Sequence, residues 1–326
     1  MIKKIFSLKT AALLLAVISM CFTFATCSPV HSCNPVNYEI TFCTESETYQ
    51  QILVEQGKAI SKPQNPKKDN YTFLYWCIDQ ELTTEYDFSK SVYSDFSLYA
   101  KFTLDGVAVT NAISTHTIKS VVRIVNKSYN TNFIGMTTDY QNGLGSGVIY
   151  KIEGDWLYAL TNCHVAIKKQ GFNYLNLTVY DYASHTSATA ELVRANNEYD
   201  LAIVRFKIDN IADEKLMPIA LNFAELDPQI NDDVIALGSP KGQSNAITFG
   251  NVSAYEQITL EETAPYYSNV QFNVIKHSAF TNNGSSGGPL LNAKLELIGL
   301  NYAGINNTSI SYSIPVSKIK EFLAME

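Results

Sequence analysis

Basic residues are scarce in this sequence: 24 Lys and Arg stand against 31 Asp and Glu, which gives a formal net charge of −7. Domains that bind nucleic acid present a basic surface to the phosphate backbone, so this balance argues against a general nucleic-acid binder. Charged residues make up only 17% of the chain, whereas 46% of its 326 residues are hydrophobic. The chain therefore has ample apolar material for a core, and its length predicts one or two domains with appendages.

Cysteines are also few. The six cysteines form no C-x-x-C pair and no Cys/His cluster with the spacing of zinc ligands. We therefore expect no metal site, and nothing in the sequence requires an organic cofactor. Cys43 and Cys77 lie in the same segment and could form a disulfide outside the cell. A disulfide also needs Cα atoms within about 7 Å, which sequence does not determine, so two free thiols remain the alternative.

The first residues predict export. A basic start with Lys3 and Lys4 leads into an apolar run over residues 11–25, typical of a secretory signal over residues 1–26. An uncleaved membrane anchor is the alternative, although the uninterrupted run is shorter than the ~20 residues of a spanning helix. The segment ending at Cys27 resembles a bacterial lipoprotein cleavage site, which implies a lipid anchor on Cys27; ordinary cleavage nearby is the competing expectation. Either way, we expect an extracellular or cell-surface protein.

A short tether and a small module follow. Residues 27–36 carry two prolines and no periodicity, as expected of a tether. Apolar and polar residues then alternate from Tyr38 to Phe42, which is typical of a half-buried strand. The pattern that follows resembles the internalin-type B repeat, also called the Listeria–Bacteroides repeat, at Gly57, Pro63, Pro66, Tyr71, Phe73, Trp76, Tyr86, Asp87, Phe88, Leu98, Tyr99 and Ala100. The resemblance implies one β-grasp-like module over residues 37–103, usually a spacer or adhesive unit of a surface protein.

Residues 104–326 predict a second, mainly β domain. Short β-like runs alternate with turn residues, and a helical period appears only at residues 316–323, so we expect a barrel or sandwich closed by one C-terminal helix. Three local patterns in this domain carry chemistry. His164 follows a buried strand, Asp200 precedes another, and Ser286 lies at the centre of a glycine-rich turn. The remaining histidines, His31, His116, His185 and His277, are interpreted as structural.

These three residue types support one kind of reaction. A serine hydroxyl is a poor nucleophile until an adjacent imidazole takes its proton, and a carboxylate must fix the tautomer of that imidazole. The developing oxyanion needs fixed donors, which backbone N–H groups in a tight turn supply. Glycines at positions 284, 287 and 288 permit such a turn. The sequence therefore predicts a Ser-His-Asp triad.

The motifs resemble those of trypsin-like serine proteases, in the order His, Asp, Ser that distinguishes this clan. Residues 161–165, 200–202 and 284–289 carry the resemblance, and residues 236–242 and 247–254 are similar to the HtrA/Deg branch. The resemblance implies a chymotrypsin-like double β-barrel over residues 104–326. The chain ends soon after the predicted helix, so we expect no PDZ domain. Cys163 replaces the Asn frequent in this branch, and we expect a buried thiol there.

Roles follow from the resemblance, residue by residue. It implies that Ser286 is the nucleophile, His164 the general base and then acid, and Asp200 the residue that orients it. The N–H groups of Gly284 and Ser286 would form the oxyanion hole. The primary specificity pocket would be shaped by four residues without a carboxylate, so we expect a small or medium apolar residue before the scissile bond. Those four are Phe280, Asn301, Tyr302 and Ala303.

The sequence thus predicts an exported serine endopeptidase that cleaves polypeptides through an acyl-enzyme intermediate. Two alternatives remain open. A catalytically silent surface-binding or adhesive protein could use the protease fold as a scaffold, since fold alone does not establish activity. An autoprocessing enzyme would act only on its own chain or on a partner.

Overall fold

The computed structural model describes residues 35–45, 47–182, 186–207, 217–238, 246–258, 269–305 and 308–325. The predicted signal segment, Cys27, His31 and His185 lie outside these residues. The chain folds into two compact units. Of the described residues, one unit contains those from 35 to 66 together with Tyr75–Lys101, and the other contains Lys67–Leu74 and those from Phe102 onward. Within the described ranges, no helix is long and apolar enough to cross a membrane.

The first unit is built on a four-stranded sheet with the order β2-β1-β4-β3. Its strands are β1 (Asn37–Thr44), β2 (Glu47–Glu55), β3 (Tyr71–Cys77) and β4 (Phe96–Leu104). β1 pairs with β2 in antiparallel and with β4 in parallel orientation, which gives the predicted β-grasp-like module. Phe42 and Trp76 are fully buried and meet edge to face, with ring centroids 4.8 Å apart. Cys43 and Cys77 are free thiols.

A helix and a closed barrel open the second unit. Asp105 caps helix α1 (Gly106–Thr115) by accepting hydrogen bonds from the amides of Val107 and Ala108. Six strands then form a closed sheet in the order β10-β7-β6-β5-β8-β9. The strands are β5 (Val121–Thr131), β6 (Thr137–Glu153), β7 (Trp156–Thr161), β8 (Tyr174–Tyr180), β9 (Ser187–Asn196) and β10 (Leu201–Phe206). A short helix, α2 (Cys163–Ala166), follows β7 directly.

A second closed barrel follows, in the order β11-β12-β13-β16-β15-β14. Its strands are β11 (Asp233–Gly238), β12 (Ala246–Glu256), β13 (Val274–His277), β14 (Pro289–Leu291), β15 (Leu297–Gly304) and β16 (Ser311–Pro315). Helix α3 (Val316–Ala324) ends the domain. One hydrophobic cluster contains Leu160 of the first barrel, Leu300 of the second and Phe322 of α3. The mainly β, chymotrypsin-like double barrel with a C-terminal helix is therefore confirmed, and α1 is an additional helix.

Candidate active site

The first barrel brings His164 and Asp200 together. β7 and β10 pair in antiparallel orientation with Thr161 opposite Ala202, so the chain after β7 lies beside the chain before β10. Nδ1 of His164 lies 2.7 Å from Oδ2 of Asp200, and the His164 amide donates to Oδ1 at 2.9 Å. An ionised carboxylate only accepts, so the proton sits on Nδ1 and Nε2 is left as a base.

Asp200 is held in an unusual backbone conformation. Its φ of +47° lies in the left-handed region, which costs a non-glycine residue roughly 1–2 kcal/mol. Its carbonyl oxygen accepts hydrogen bonds from the Cys163 amide and from Nδ2 of Asn162, both at 3.1 Å. The side chain is 1% exposed. Backbone and carboxylate are therefore both fixed to the segment that carries His164.

Cys163 is the buried thiol that the sequence predicts. It is 1% exposed, and Sγ donates to Oδ1 of Asn197 at 2.8 Å. Burial, together with the charge of Asp200, raises the pKa of this thiol to about 12. A thiol that stays protonated is not a nucleophile.

Ser286 comes from the second barrel, in the turn between β13 and β14. This turn is docked onto the first barrel by Ser146 of β6. The Ser146 amide donates to the Ser286 carbonyl at 2.8 Å, and its Oγ donates to the Gly284 carbonyl at 2.7 Å. A Cβ on Gly287 would lie 2.2 Å from the Ser146 carbonyl oxygen, and the φ of Gly287 is +84°. Only glycine permits this approach.

The predicted oxyanion donors are available. In the serine turn, the amides of Ser285, Gly287 and Gly288 donate to Asn282, Asn301 and Ser285. Within the described chain, the amides of Gly284 and Ser286 donate to no other group, and Ser286 Oγ makes no hydrogen bond to His164. Nucleophile–base contacts are often long in proteases without substrate and tighten on binding.

A cavity of about 520 Å³ opens beside Ser286. All four predicted specificity residues line it, together with Thr281, Asn282, Asn283, Gly304 and Ile305. Phe280 is 46% exposed, whereas Tyr302 is buried and the buried Asn301 amide donates to the Leu237 carbonyl at 2.8 Å. Asn301 therefore supports the wall rather than reaching into the space. None of the described residues that line the cavity is charged.

Thr281 is a wall residue that the sequence reasoning missed. Its amide and its Oγ1 both lie 3.0 Å from Oγ of the buried Ser311. A Cβ on Gly304 would lie 3.2 Å from the same Oγ1, so the hydroxyl narrows the cavity at that point. Its position one residue after Phe280, already predicted to lie in the pocket, was the available signal.

Comparisons with known proteins agree with this geometry. Residues 145–300 match the family described as the trypsin-like peptidase domain, and residues 38–101 match the Listeria–Bacteroides repeat domain. The serine protease Do-like HtrA of Bacillus subtilis is 34% identical over 188 residues, which cover 56% of this chain and 39% of that protein. HtrB of the same organism is 32% identical over 180 residues, covering 54% and 36%.

A solved structure supports the fold. The active form of a protease from M. tuberculosis superimposes with a TM-score of 0.51 at 24% identity, covering 68% of this chain and 86% of that one. The chain spans about two fifths or less of the length of the two Bacillus relatives. Residues 145–300 of this chain are thus similar to the trypsin-like peptidase domain and to HtrA serine proteases, and residues 38–101, ahead of them, are similar to the Listeria–Bacteroides repeat.

Proposed function

We propose that this protein is an exported serine endopeptidase in which Ser286, His164 and Asp200 form the catalytic triad. The observation that carries the proposal is the hold of Asp200 on His164. Oδ2 of this buried aspartate fixes one tautomer of the imidazole, and Oδ1 accepts a hydrogen bond from the His164 backbone amide. The turn that supplies Ser286 is docked by hydrogen bonds to the same barrel as that pair.

The residues would act in sequence. Ser286 Oγ attacks the peptide carbonyl carbon while Nε2 of His164 takes the hydroxyl proton. The amides of Gly284 and Ser286 donate to the oxyanion of the tetrahedral intermediate. His164 then protonates the leaving amine as the C–N bond breaks. Water then attacks the acyl carbon while Nε2 of His164 takes its proton. The bond between Ser286 Oγ and the acyl carbon breaks, the carboxylic acid product leaves, and His164 returns the proton to Ser286.

We propose the following division of the chain. Residues 1–26 are a signal peptide, residues 27–36 a tether, residues 37–103 the repeat module and residues 104–326 the protease domain. The protein would lie outside the cell or at its surface, with a lipid on Cys27 as a further anchor. The repeat would act as a spacer or an adhesive contact.

The substrate would be a polypeptide bound as an extended strand along residues 299–304, as added strands bind sheet edges. Phe280, Tyr302 and Ala303 would contact the residue before the scissile bond, and Asn301 would support them. The described part of the cavity wall is uncharged, so we expect an uncharged substrate residue there. Cleavage-site profiling with a peptide library would test this selectivity, and enrichment of Lys, Arg or Glu at that position would contradict it.

Labelling with a fluorophosphonate tests the triad directly, because the probe reacts with activated serines. The wild-type protein should be labelled, and Ser286→Ala and His164→Ala should lower the labelling rate at least ~10³-fold. Ser285→Ala is the matched control. The Ser285 hydroxyl lies in the same turn as Ser286 and accepts a long hydrogen bond, 3.4 Å, from the Asn282 amide, so labelling should persist without it.

Two results would contradict the proposal. A folded wild-type protein that is not labelled would favour the scaffold alternative, in which residues 37–103 carry the function. Equal labelling of the wild type and Ser286→Ala would assign the reactivity to another residue. Circular dichroism of each variant establishes that the fold is retained.

A further inference from the structure

The carbonyl end of α2 is held by buried polar side chains from β5. Asn126 is fully buried, and its Nδ2 donates to the carbonyl oxygens of Val165 at 2.9 Å and Ile167 at 2.7 Å. The Asn126 Oδ1 accepts a hydrogen bond from Oγ of Ser128, also fully buried, at 2.9 Å. The carbonyls at a helix end have no partner inside the helix. Asn126 supplies the donor for two of them, and Ser128 holds the Asn126 side chain in place.

Lys169 completes this arrangement from the chain that follows α2. Its amide donates to Ser128 Oγ at 2.9 Å, and its Nζ donates to the His164 carbonyl at 3.0 Å. The aliphatic part of the side chain passes close to Gly143 of β6, where a Cβ would lie 3.2 Å from Lys169 Cε. The ammonium group is therefore directed at the backbone of the predicted base.

α2 packs against β5, β6, β9 and β10. Asp200, before β10, contacts the imidazole itself, and the side chains shown bonded to α2 or Cys163 from β5 and from the chain after β9 are the neutral Asn126 and Asn197. The charged residues on the same four strands are Arg123 and Lys127 on β5, Asp139, Lys151 and Glu153 on β6, Glu191 and Arg194 on β9, and Arg205 on β10. Burial lowers the pKa of Lys169, and the Asp200 carboxylate acts in the opposite direction. Two opposite charges thus contact the same residue, the Lys169 ammonium at the His164 carbonyl and the Asp200 carboxylate at Nδ1 of the imidazole.

We propose that Lys169 is a positioning residue for His164, which fixes the carbonyl end of α2 and places a positive charge that opposes protonation of the imidazole. The inference rests on the proposed function, since it concerns the base of that reaction. Asp200 stabilises the imidazolium once it forms, whereas the Lys169 ammonium repels that positive charge. Both effects are Coulombic and act through a partly buried region, where charges are weakly screened.

The first test measures the pKa of His164 without relying on activity. Imidazole resonances are titrated by NMR in the Ser286→Ala protein, and His164→Gln identifies the resonance. Lys169→Met should raise the His164 pKa by about 0.5–1 unit, and Lys169→Arg should restore it. Lys168→Met is the matched control, because Lys168 is exposed and its Nζ donates a hydrogen bond to the Asn173 carbonyl, away from His164.

The second test follows fluorophosphonate labelling against pH in the protein with Ser286 intact. The acidic limb of the profile should move upward in Lys169→Met by the same amount, and Lys169→Gln serves if the Met variant does not fold. A uniform loss of labelling at all pH values, with the His164 pKa unchanged or lowered, would overturn the proposal. Absence of labelling in the wild type would instead overturn the proposed function, and the NMR titration would still decide the role of Lys169.

Discussion

Buried polar side chains support the serine turn from within the second barrel. His277 is 1% exposed, and its Nε2 lies 2.9 Å from Oγ of Ser313. Ser313 donates to Oδ1 of Asn301, whose backbone pairs with Gly287 and Gly288 beside Ser286. Burial lowers the pKa of His277 to about 4. Its protonation would place an unpaired charge in the core beneath the site.

His277 should make the fold sensitive to acid. Its pKa is lower in the folded than in the unfolded chain, so the unfolded chain binds more protons between pH about 6.5 and 4. The free energy of unfolding should therefore fall by about 3 kcal/mol from this group as pH falls through that window. Urea denaturation at pH 7, 5.5 and 4 measures it. His277→Gln should lose less stability on acidification than the wild type.

The control is His116→Gln, because His116 is exposed. The unfolding free energy of His116→Gln should change with pH as that of the wild type does, because both proteins keep His277 and the same carboxylates. Parallel curves for the wild type and His277→Gln would contradict the role given to His277.

Sequence predicts these residues unequally. His164, Asp200 and Ser286 lie in dense local motifs, so a short window around each was enough to propose its role. The sequence signal for the buried Asn126 and Ser128 is weak. They are two polar residues that continue the alternation of buried positions begun by Val122 and Ile124 in β5. Lys169 leaves none, because its contact with the His164 carbonyl depends on how the chain turns after α2.

At the scale of elements, α3 depends on a side chain from the first barrel. Nη2 of Arg194 in β9 donates to the Phe322 carbonyl at 2.7 Å, and Nη1 donates to the Met325 carbonyl. The guanidinium also lies 4.5 Å from the Phe322 ring centroid. A cation at a helix C-terminus satisfies carbonyls that the helix cannot pair and interacts favourably with the helix dipole.

Arg194→Met should lower the free energy of unfolding by about 2 kcal/mol, because two charge-assisted hydrogen bonds are lost. Arg205→Met is the matched control on the neighbouring strand. Arg205 also lies over an aromatic ring, at 4.6 Å from Trp156, but its salt bridge with Glu191 is exposed. Its loss should therefore change the free energy of unfolding much less than the loss of Arg194, because an exposed salt bridge contributes little. Equal destabilisation of the two variants in urea would contradict the anchoring of α3.

Strands and the terminal helix were easier to predict than α1. α3 shows a clear helical period, whereas α1 buries only Val109 and Ile113 and begins with a glycine, a poor helix former. β6 runs from Thr137 to Glu153. Its first half is polar and contains Gly143, so strand propensity is low there, and eleven paired positions with β5 impose the extended conformation.

At the scale of the whole domain, the candidate site is divided between the barrels. The first barrel supplies His164 and Asp200, and the second supplies Ser286 with its amide donors. Contact between them depends on close approach at Gly287, where a Cβ would meet the Ser146 carbonyl oxygen at 2.2 Å and Thr161 Oγ1 at 2.4 Å. No other residue type fits that gap.

Gly287→Ala should therefore move the serine turn away from the first barrel. We expect fluorophosphonate labelling to fall at least ~100-fold, with a lower melting temperature, because the turn must shift or strain. Gly154→Ala is the control, since Gly154 also has a positive φ of +57° but has open space around it. It should cost about 1 kcal/mol and leave labelling unchanged. Normal labelling of Gly287→Ala would contradict the docked arrangement.

Each barrel also has a hydrophobic cluster of its own, with Ile124 and Phe206 in the first and Val234 and Leu290 in the second. In the proposed mechanism, proton transfer would thus depend mainly on the packing of the first barrel and oxyanion binding on that of the second. A substitution in the core of one barrel would affect either the pair His164 and Asp200 or the serine turn. A molecule bound between the barrels would instead change the distance between Ser286 and His164. If the proposed mechanism holds, the rate at which a substrate acylates Ser286 would report the spacing between the two barrels.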